Sequence, residues 1–191
     1  MKPVVRRRSK ETRVEASVKL NGSGKSDVRT GLRFLDHMID SFAAHSLVDV
    51  KIRAKGDLRH HTVEDVALTL GKALKEALGD RAGLVWFGYS IVPMDDALAL
   101  AAVDLVKRAY SSIDLKIERV MLEDAPREDL EHFFSSMSAA LEATLHVKVL
   151  DGRNDHHKFE AAVKAFALSF RAAIRADPGR RGRAPSSKGV M

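Results

Sequence analysis

Alternation and helical spacing divide the 191-residue chain into two runs of similar design. Thr12 to Leu20 alternates polar and apolar positions as a half-buried strand does, and it ends in the turn Asn21-Gly22-Ser23-Gly24. Lys25 to Thr30 is placed to pair with it. Phe34, Leu35, Met38, Ile39 and Phe42 share one face of a helix over 34–44, and Leu47 to Ile52 reads as a strand. After the turn Gly56-Asp57, Thr62 to Leu78 predicts a long helix stopped by Gly79. The second run predicts strands near 85–92, 98–106 and 112–117. Its later part repeats the order of the first: a helix over 128–141, a strand over 145–150, the turn Asp151-Gly152 and a helix over 159–174. Each run is strands, helix, strand, helix. The expected class is therefore α+β, an internally duplicated unit with two sheets covered by helices. The expected boundaries are a first repeat at 1–83, a second at 84–177 and a basic C-terminal tail at 178–191.

The eight histidines sharpen this reading, because four fall in each half. His60-His61-Thr62-Val63-Glu64 and His156-His157-Lys158-Phe159-Glu160 share the pattern His-His-x-x-Glu at an offset of 96 residues. One isolated histidine precedes each pair at nearly the same distance, His37 in the first half and His132 in the second. Recurrence of three features at offsets of 95 and 96 residues marks a duplication. His45 and His146 do not share a repeat position; each is open to a substrate contact or to a role in the core.

Composition excludes several classes. Hydrophobic residues make up 45% and charged residues 30%, ordinary globular usage, and no apolar run approaches the ~20 residues that span a bilayer. The absence of cysteine removes disulfides, thiolate zinc sites and a catalytic thiol. With no apolar leader after the basic start, a cytoplasmic protein is the expectation. The net charge of +6 suggests nucleic acid only until it is divided. Lys2, Arg6, Arg7, Arg8, Lys10 and Arg13 stand at one end, and Arg175, Arg180, Arg181, Arg183 and Lys188 at the other, leaving the middle net acidic. A nucleic-acid domain more often shows a basic face interleaved with aromatics. Solvated basic termini are the simpler account.

The paired histidines have chemical consequences. Successive helical residues are turned by about 100°, so His60 and His61 cannot both face one ion alongside Glu64. Adjacent histidines at a helix start most naturally serve two different metals. Two such motifs with His37 and His132 supply three nitrogens and one oxygen for each of two ions, leaving octahedral positions open. Imidazole and carboxylate without thiolate suit manganese, iron or zinc. One such motif alone is more often a surface feature; two in register favour a metal site. Elsewhere, Arg180, Arg181, Arg183, Ser186, Ser187 and Lys188 offer donors for an anion but are individually weak signals.

Beyond the histidines, several segments resemble the imidazoleglycerol-phosphate dehydratase family along almost the whole chain. They include Lys10-Glu11-Thr12, Phe34-Leu35-Asp36-His37-Met38, Pro93-Met94-Asp95, Glu131-His132-Phe133-Phe134, Gly152-Arg153-Asn154-Asp155-His156-His157 and Pro185-Ser186-Ser187-Lys188-Gly189. The resemblance implies a manganese hydro-lyase of histidine biosynthesis with two Mn2+ ions per active site. It further implies a duplicated α+β fold, and trimers assembled into a 24-subunit shell with metals at subunit contacts. His37, His60, His61, Glu64, His132, His156, His157 and Glu160 match the family's metal ligands. Arg108, Lys164, Ser186 and Lys188 match its contacts to a small phosphorylated imidazole substrate, while Glu11, His45 and Asp95 match residues near the reacting carbons. The implied reaction favours the imidazolate form of the substrate ring, expels hydroxide, and removes a carbon-bound proton to give an enol that ketonises.

The chain also departs from the family's pattern. Trp86 stands where a phosphate-binding arginine is usual, with Arg81 or the basic tail as possible replacements. The loop Gly56-Asp57-Leu58-Arg59 is short and lacks the usual aspartates, so a carboxylate orienting a metal ligand is expected to be missing there. Ser41 and Lys107-Arg108-Ala109 deviate too. Two other classes remain: a paralogue acting on another phosphorylated imidazole, and a basic nucleic-acid-binding protein without catalysis, which predicts salt-sensitive binding.

Overall fold

The computed structural model describes residues 4–180 and Arg183. Two four-stranded sheets are built in the same way. In the first, β1 (Val5–Arg8), β2 (Thr12–Lys19), β3 (Ser26–Arg29) and β4 (Asp49–Gly56) lie in the order β1-β2-β4-β3. In the second, β5 (Phe87–Met94), β6 (Ala97–Asp104), β7 (Tyr110–Asp114) and β10 (Thr144–Asp151) lie in the order β5-β6-β10-β7. The last strand formed enters between its predecessors in both cases, antiparallel to β2 or β6 and parallel to β3 or β7. Four helices accompany them: α1 (Arg33–Ser46), α2 (Arg59–Leu78), α3 (Arg127–Leu141) and α4 (Asp155–Ala173). A small hairpin, β8 (Met121–Leu122) with β9 (Ala125–Pro126), precedes α3.

Each sheet is covered by the two helices of its own half, and the helix layers then pack on one another as α1 on α4 and α2 on α3. One apolar core runs through all the layers. Its composition explains the tight packing of α4. The inward positions of β6 are Ala97, Ala99, Ala101 and Val103, and α4 answers with Ala161, Ala162, Ala165 and Ala167, all buried. Small residues on both surfaces let the helix lie close to the sheet. At Gly88 the approach is so close that a β-carbon there would sit 2.8 Å from the Ser169 carbonyl carbon and 2.9 Å from the Ala173 nitrogen.

Three expectations are corrected. The segment 25–30 does not pair with β2 but lies parallel to β4. The reason is a contact from further along the chain: the Asp49 carboxylate accepts from the backbone N–H groups of Ser23 and Lys25, and Val50 N–H donates to the Lys25 carbonyl, drawing the turn toward β4. The basic N-terminus is not simply solvated, since residues 5–8 form the edge strand β1. There Arg6 pairs with Glu15, and Arg7 with Asp65, which also accepts from Thr12 Oγ1. Finally, both histidine-bearing helices begin earlier than the apolar spacing predicts, α2 at Arg59 and α4 at Asp155, so both pairs lie in first turns. Asn154 caps α4 by accepting from the N–H groups of His156 and His157. A 3-10 turn, Pro178–Arg180, follows α4, and Gly83 N–H donates to the Arg183 carbonyl. Ser186, Lys188 and the rest of the tail lie outside the described residues. No helix among the described residues is long and apolar enough to cross a membrane.

Candidate metal centres

The packing of helices across the two halves brings the chemistry together. Where α1 meets α4, His37, His156 and Glu160 each present a ligand atom, and these atoms lie within 4.8 Å of one another. Where α2 meets α3, His60, Glu64 and His132 do the same. Each cluster takes its isolated histidine from one half and its His-x-x-x-Glu pair from the other. Glu160 Oε2 is 3.8 Å from His37 Nε2 and 3.5 Å from His156 Nε2; Glu64 Oε1 is 3.4 Å from His132 Nε2. The rings of His60 and His132 stack at 5.5 Å between centroids.

His61 and His157 join neither cluster. Their rings are turned from those of their neighbours by 63° and 82°, as helical geometry requires. They face the loops instead. His61 Nδ1 lies 2.8 Å from Asp57 and 3.9 Å from Glu11, and His157 lies 2.6 Å through Nδ1 from Asp96 and 3.5 Å through Nε2 from Asp95. Glu11 follows β1 and Asp95 follows β5, so these two carboxylates hold corresponding places in the two halves.

All four paired histidines have a carboxylate at Nδ1. Asp129 stands 2.6 Å from His60, Asp57 2.8 Å from His61, Glu123 3.2 Å from His156 and Asp96 2.6 Å from His157. The carboxylate accepts, which places the proton on Nδ1 and leaves the Nε2 lone pair for another partner. The expectation of a missing carboxylate before His60 is thus corrected: Asp57 fills the role for His61, and Asp129 fills it for His60 from α3. The bond to His61 holds Asp57 below the usual carboxylate range, and the His61 ring is raised in turn by that bond. Asp96 is likewise held well below its ordinary value by His157 and by the backbone N–H groups of Asn154 and Arg153. Asp57 stands one helical turn before His61 and was readable in the sequence. Asp129, Glu123 and Asp96 come from 69, 33 and 61 residues away, so no local spacing could have announced them. Neither could it announce Asp124, whose carboxylate accepts from the N–H groups of Arg33 and Phe34 at the start of α1.

Lys164, one turn beyond Glu160, donates to Glu160 Oε1 at 2.8 Å and contacts Met94 Sδ at 3.1 Å. Burial pushes the Glu160 carboxyl up, but Lys164, with His37 and His156, brings it below its ordinary value. His45, two turns after His37 on α1, is lowered by burial and by the Lys164 charge, against the pull of Glu160. It therefore belongs to the α1/α4 neighbourhood. His146 does not; it packs on Tyr110, 5.6 Å between centroids, on β10. Arg108 is also distant within one chain. It follows β6, whereas Asp95 precedes it, and eight strand residues span about 25 Å. Arg81 is no replacement for the arginine that Trp86 displaces. It is buried, donates to the carbonyls of Leu105, Leu141 and Glu142, and accepts from Trp86 Nε1 at its own carbonyl.

A duplicated α+β protein with two clusters of imidazole and carboxylate oxygen, free of thiolate, presents the donor set that borderline divalent cations prefer, and protonated Nδ1 positions fit such a use. The comparisons narrow the class. The family model for imidazoleglycerol-phosphate dehydratase matches residues 30–170. The imidazoleglycerol-phosphate dehydratase of Methanothermobacter thermautotrophicus is 47% identical over 188 residues, covering 97% of this chain and 95% of that protein. That of Chlorobium luteolum is 44% identical over 190 residues, covering 98% and 94%. A crystal structure of the Pyrococcus furiosus dehydratase in complex with (S)-C348 superposes with a TM-score of 0.85 at 38% identity, covering 97% of this chain and 99% of that one. The chain belongs to the imidazoleglycerol-phosphate dehydratase family, and it is an enzyme of the carbon–oxygen hydro-lyase type.

Proposed function

We propose that the chain carries out the metal-dependent dehydration of D-erythro-imidazoleglycerol phosphate to imidazoleacetol phosphate in histidine biosynthesis. The observation that supports this most directly is the convergence of two imidazoles and one carboxylate at each of two places in a chain of this family. Manganese is the proposed ion, two per active site, held by His37, His156 and Glu160 and by His60, Glu64 and His132. His61 and His157, whose Nε2 atoms are turned away from their own chain's clusters, would complete those of neighbouring copies. When bound, the ions supply Lewis acidity that makes the substrate ring a better acid.

The chain's own groups then divide the remaining work. Glu11 and Asp95, exposed carboxylates beside His61 and His157, would hold or release a proton at the reacting carbons, with His45 as the neighbouring imidazole. Lys164, and Arg108, Ser186 and Lys188 brought from other segments or copies, would bind the phosphate, the three cations by charge and the serine by its hydroxyl. Assembly is proposed as trimers forming a 24-subunit shell, in the cytoplasm, with repeats divided at 83/84 and a tail from 178. Metal-stripped protein is assayed on imidazoleglycerol phosphate with and without Mn2+. Manganese-dependent formation of imidazoleacetol phosphate is expected, and absence of turnover in metal-loaded, assembled protein overturns the substrate assignment. One observation favours a second reading, a paralogue for another phosphorylated imidazole: Trp86 is buried, and Arg81 is buried with both terminal nitrogens on backbone carbonyls, so neither supplies a phosphate cation.

A further inference from the structure

The two clusters match in their ligand types but differ in what surrounds them, and that difference has a consequence for metal occupancy. At the α2/α3 cluster, His60 is oriented by Asp129, which is 1% exposed and bonded at 2.6 Å; Asp129 Oδ2 is buried and has no other hydrogen-bond partner among the described residues. The charge of this carboxylate is thus directed largely at one imidazole. No lysine or arginine is bonded to Glu64 among the described residues. At the α1/α4 cluster the corresponding partner of His156 is Glu123, exposed in the turn of the two-residue hairpin and at 3.2 Å. The carboxylate of that cluster is shared, Glu160 Oε1 being held at 2.8 Å by the largely buried ammonium of Lys164. A fixed positive charge beside the carboxylate opposes a second cation, and a loosely held outer carboxylate orients its imidazole less firmly.

We infer that the two metal positions are inequivalent, the His60, Glu64 and His132 cluster filling first and the His37, His156 and Glu160 cluster being the weaker, exchangeable position. Asp129 acts here as a positioning residue through His60, and Lys164 as the group that weakens the second position. This rests on the metal reading proposed above. It leaves the substrate out, so the two can fail separately.

The test is titration of chelator-stripped, full-length protein with Mn2+, free ion being read by electron paramagnetic resonance. Two phases of one ion per chain are expected, separated by about tenfold or more in affinity, the size of effect typical of such outer partners. Glu64→Gln should abolish the tight phase and Glu160→Gln the weak one. Asp129→Asn should weaken the tight phase alone by about tenfold, with a circular-dichroism spectrum like that of the parent, and Lys164→Met should tighten the weak phase. A single phase of two equal ions, or loss of the tight phase in Glu160→Gln, overturns the inequivalence while leaving the metal reading standing. No bound manganese at either position overturns both.

Discussion

Gly88→Ala tests how closely the position of α4 depends on the sheet beneath it. The added β-carbon would lie 2.8 Å from the Ser169 carbonyl carbon and 2.9 Å from the Ala173 nitrogen, with the Ser169 oxygen nearer still, whereas ordinary contact begins at 3.4 Å. The obstacles are backbone atoms of a helix and cannot rotate away, so α4 must move from β5 by more than the roughly 0.6 Å that the carbonyl carbon alone would require. Overpacking of this kind costs about 1–3 kcal/mol, and the backbone-to-backbone clash places this case at the upper end. For a chain of this size that lowers the melting temperature by roughly 4–10 °C. The displacement also has a direction. Ser169 lies nine residues from Glu160 on one rigid helix, about 13 Å at 1.5 Å per residue, so the shift is carried to the α1/α4 cluster and not to α2/α3. Differential scanning calorimetry and Mn2+ titration read the two effects. Gly31→Ala is the control, since a β-carbon there meets nothing within 4 Å and suffers only its φ of +86°. A Gly88→Ala protein that melts no lower than Gly31→Ala, with both metal phases intact, would refute the packing argument.

Three further outcomes are expected. Asn154→Ala removes the cap that holds the N–H groups of His156 and His157, lowering stability by about 1 kcal/mol in denaturant melts and weakening the α1/α4 metal position. Asp104 is pushed above its ordinary value by burial, against the attraction of Arg108 and Arg81, and its Oδ1 has no hydrogen-bond partner among the described residues. Its contribution is therefore complete below the unfolded carboxyl value near 3.8 and is lost as pH rises through the raised folded value. Asp104→Asn should consequently raise the melting temperature at pH 7 and have little effect at pH 3; a destabilised variant at pH 7 would contradict this sign. Chelation should reduce the assembly to smaller oligomers in light scattering, and a particle size indifferent to chelator would argue against metals at subunit contacts.

Period and offset in the sequence carried the duplication and the order of elements, because each strand and helix buries one face. They carried neither β1, whose Arg6-Arg7-Arg8 run hides an edge strand held by Glu15 and Asp65, nor the partner of β3, which the distant Asp49 decides. At the site, the rings of His60 and His61 diverge as helical geometry predicts, and His60 but not His61 joins a cluster among the described residues. Which isolated histidine joins which pair was not legible, since it depends on how the two helix layers cross. Apart from Asp57, the carboxylates at Nδ1 were equally hidden, supplied by α3, a hairpin and a turn that approach only in the folded chain.

The exchange of histidines between halves bears on how the duplicated chain is held together. His37 of the first half meets Glu160 of the second, and His132 of the second meets Glu64 of the first, the reciprocal pattern of a two-fold symmetric dimer. In effect the molecule is a pair of protomers joined by a linker. Among the described residues neither half possesses a complete cluster alone, so a gene split between residues 83 and 84 should yield fragments that are inert to metal singly and competent only when mixed.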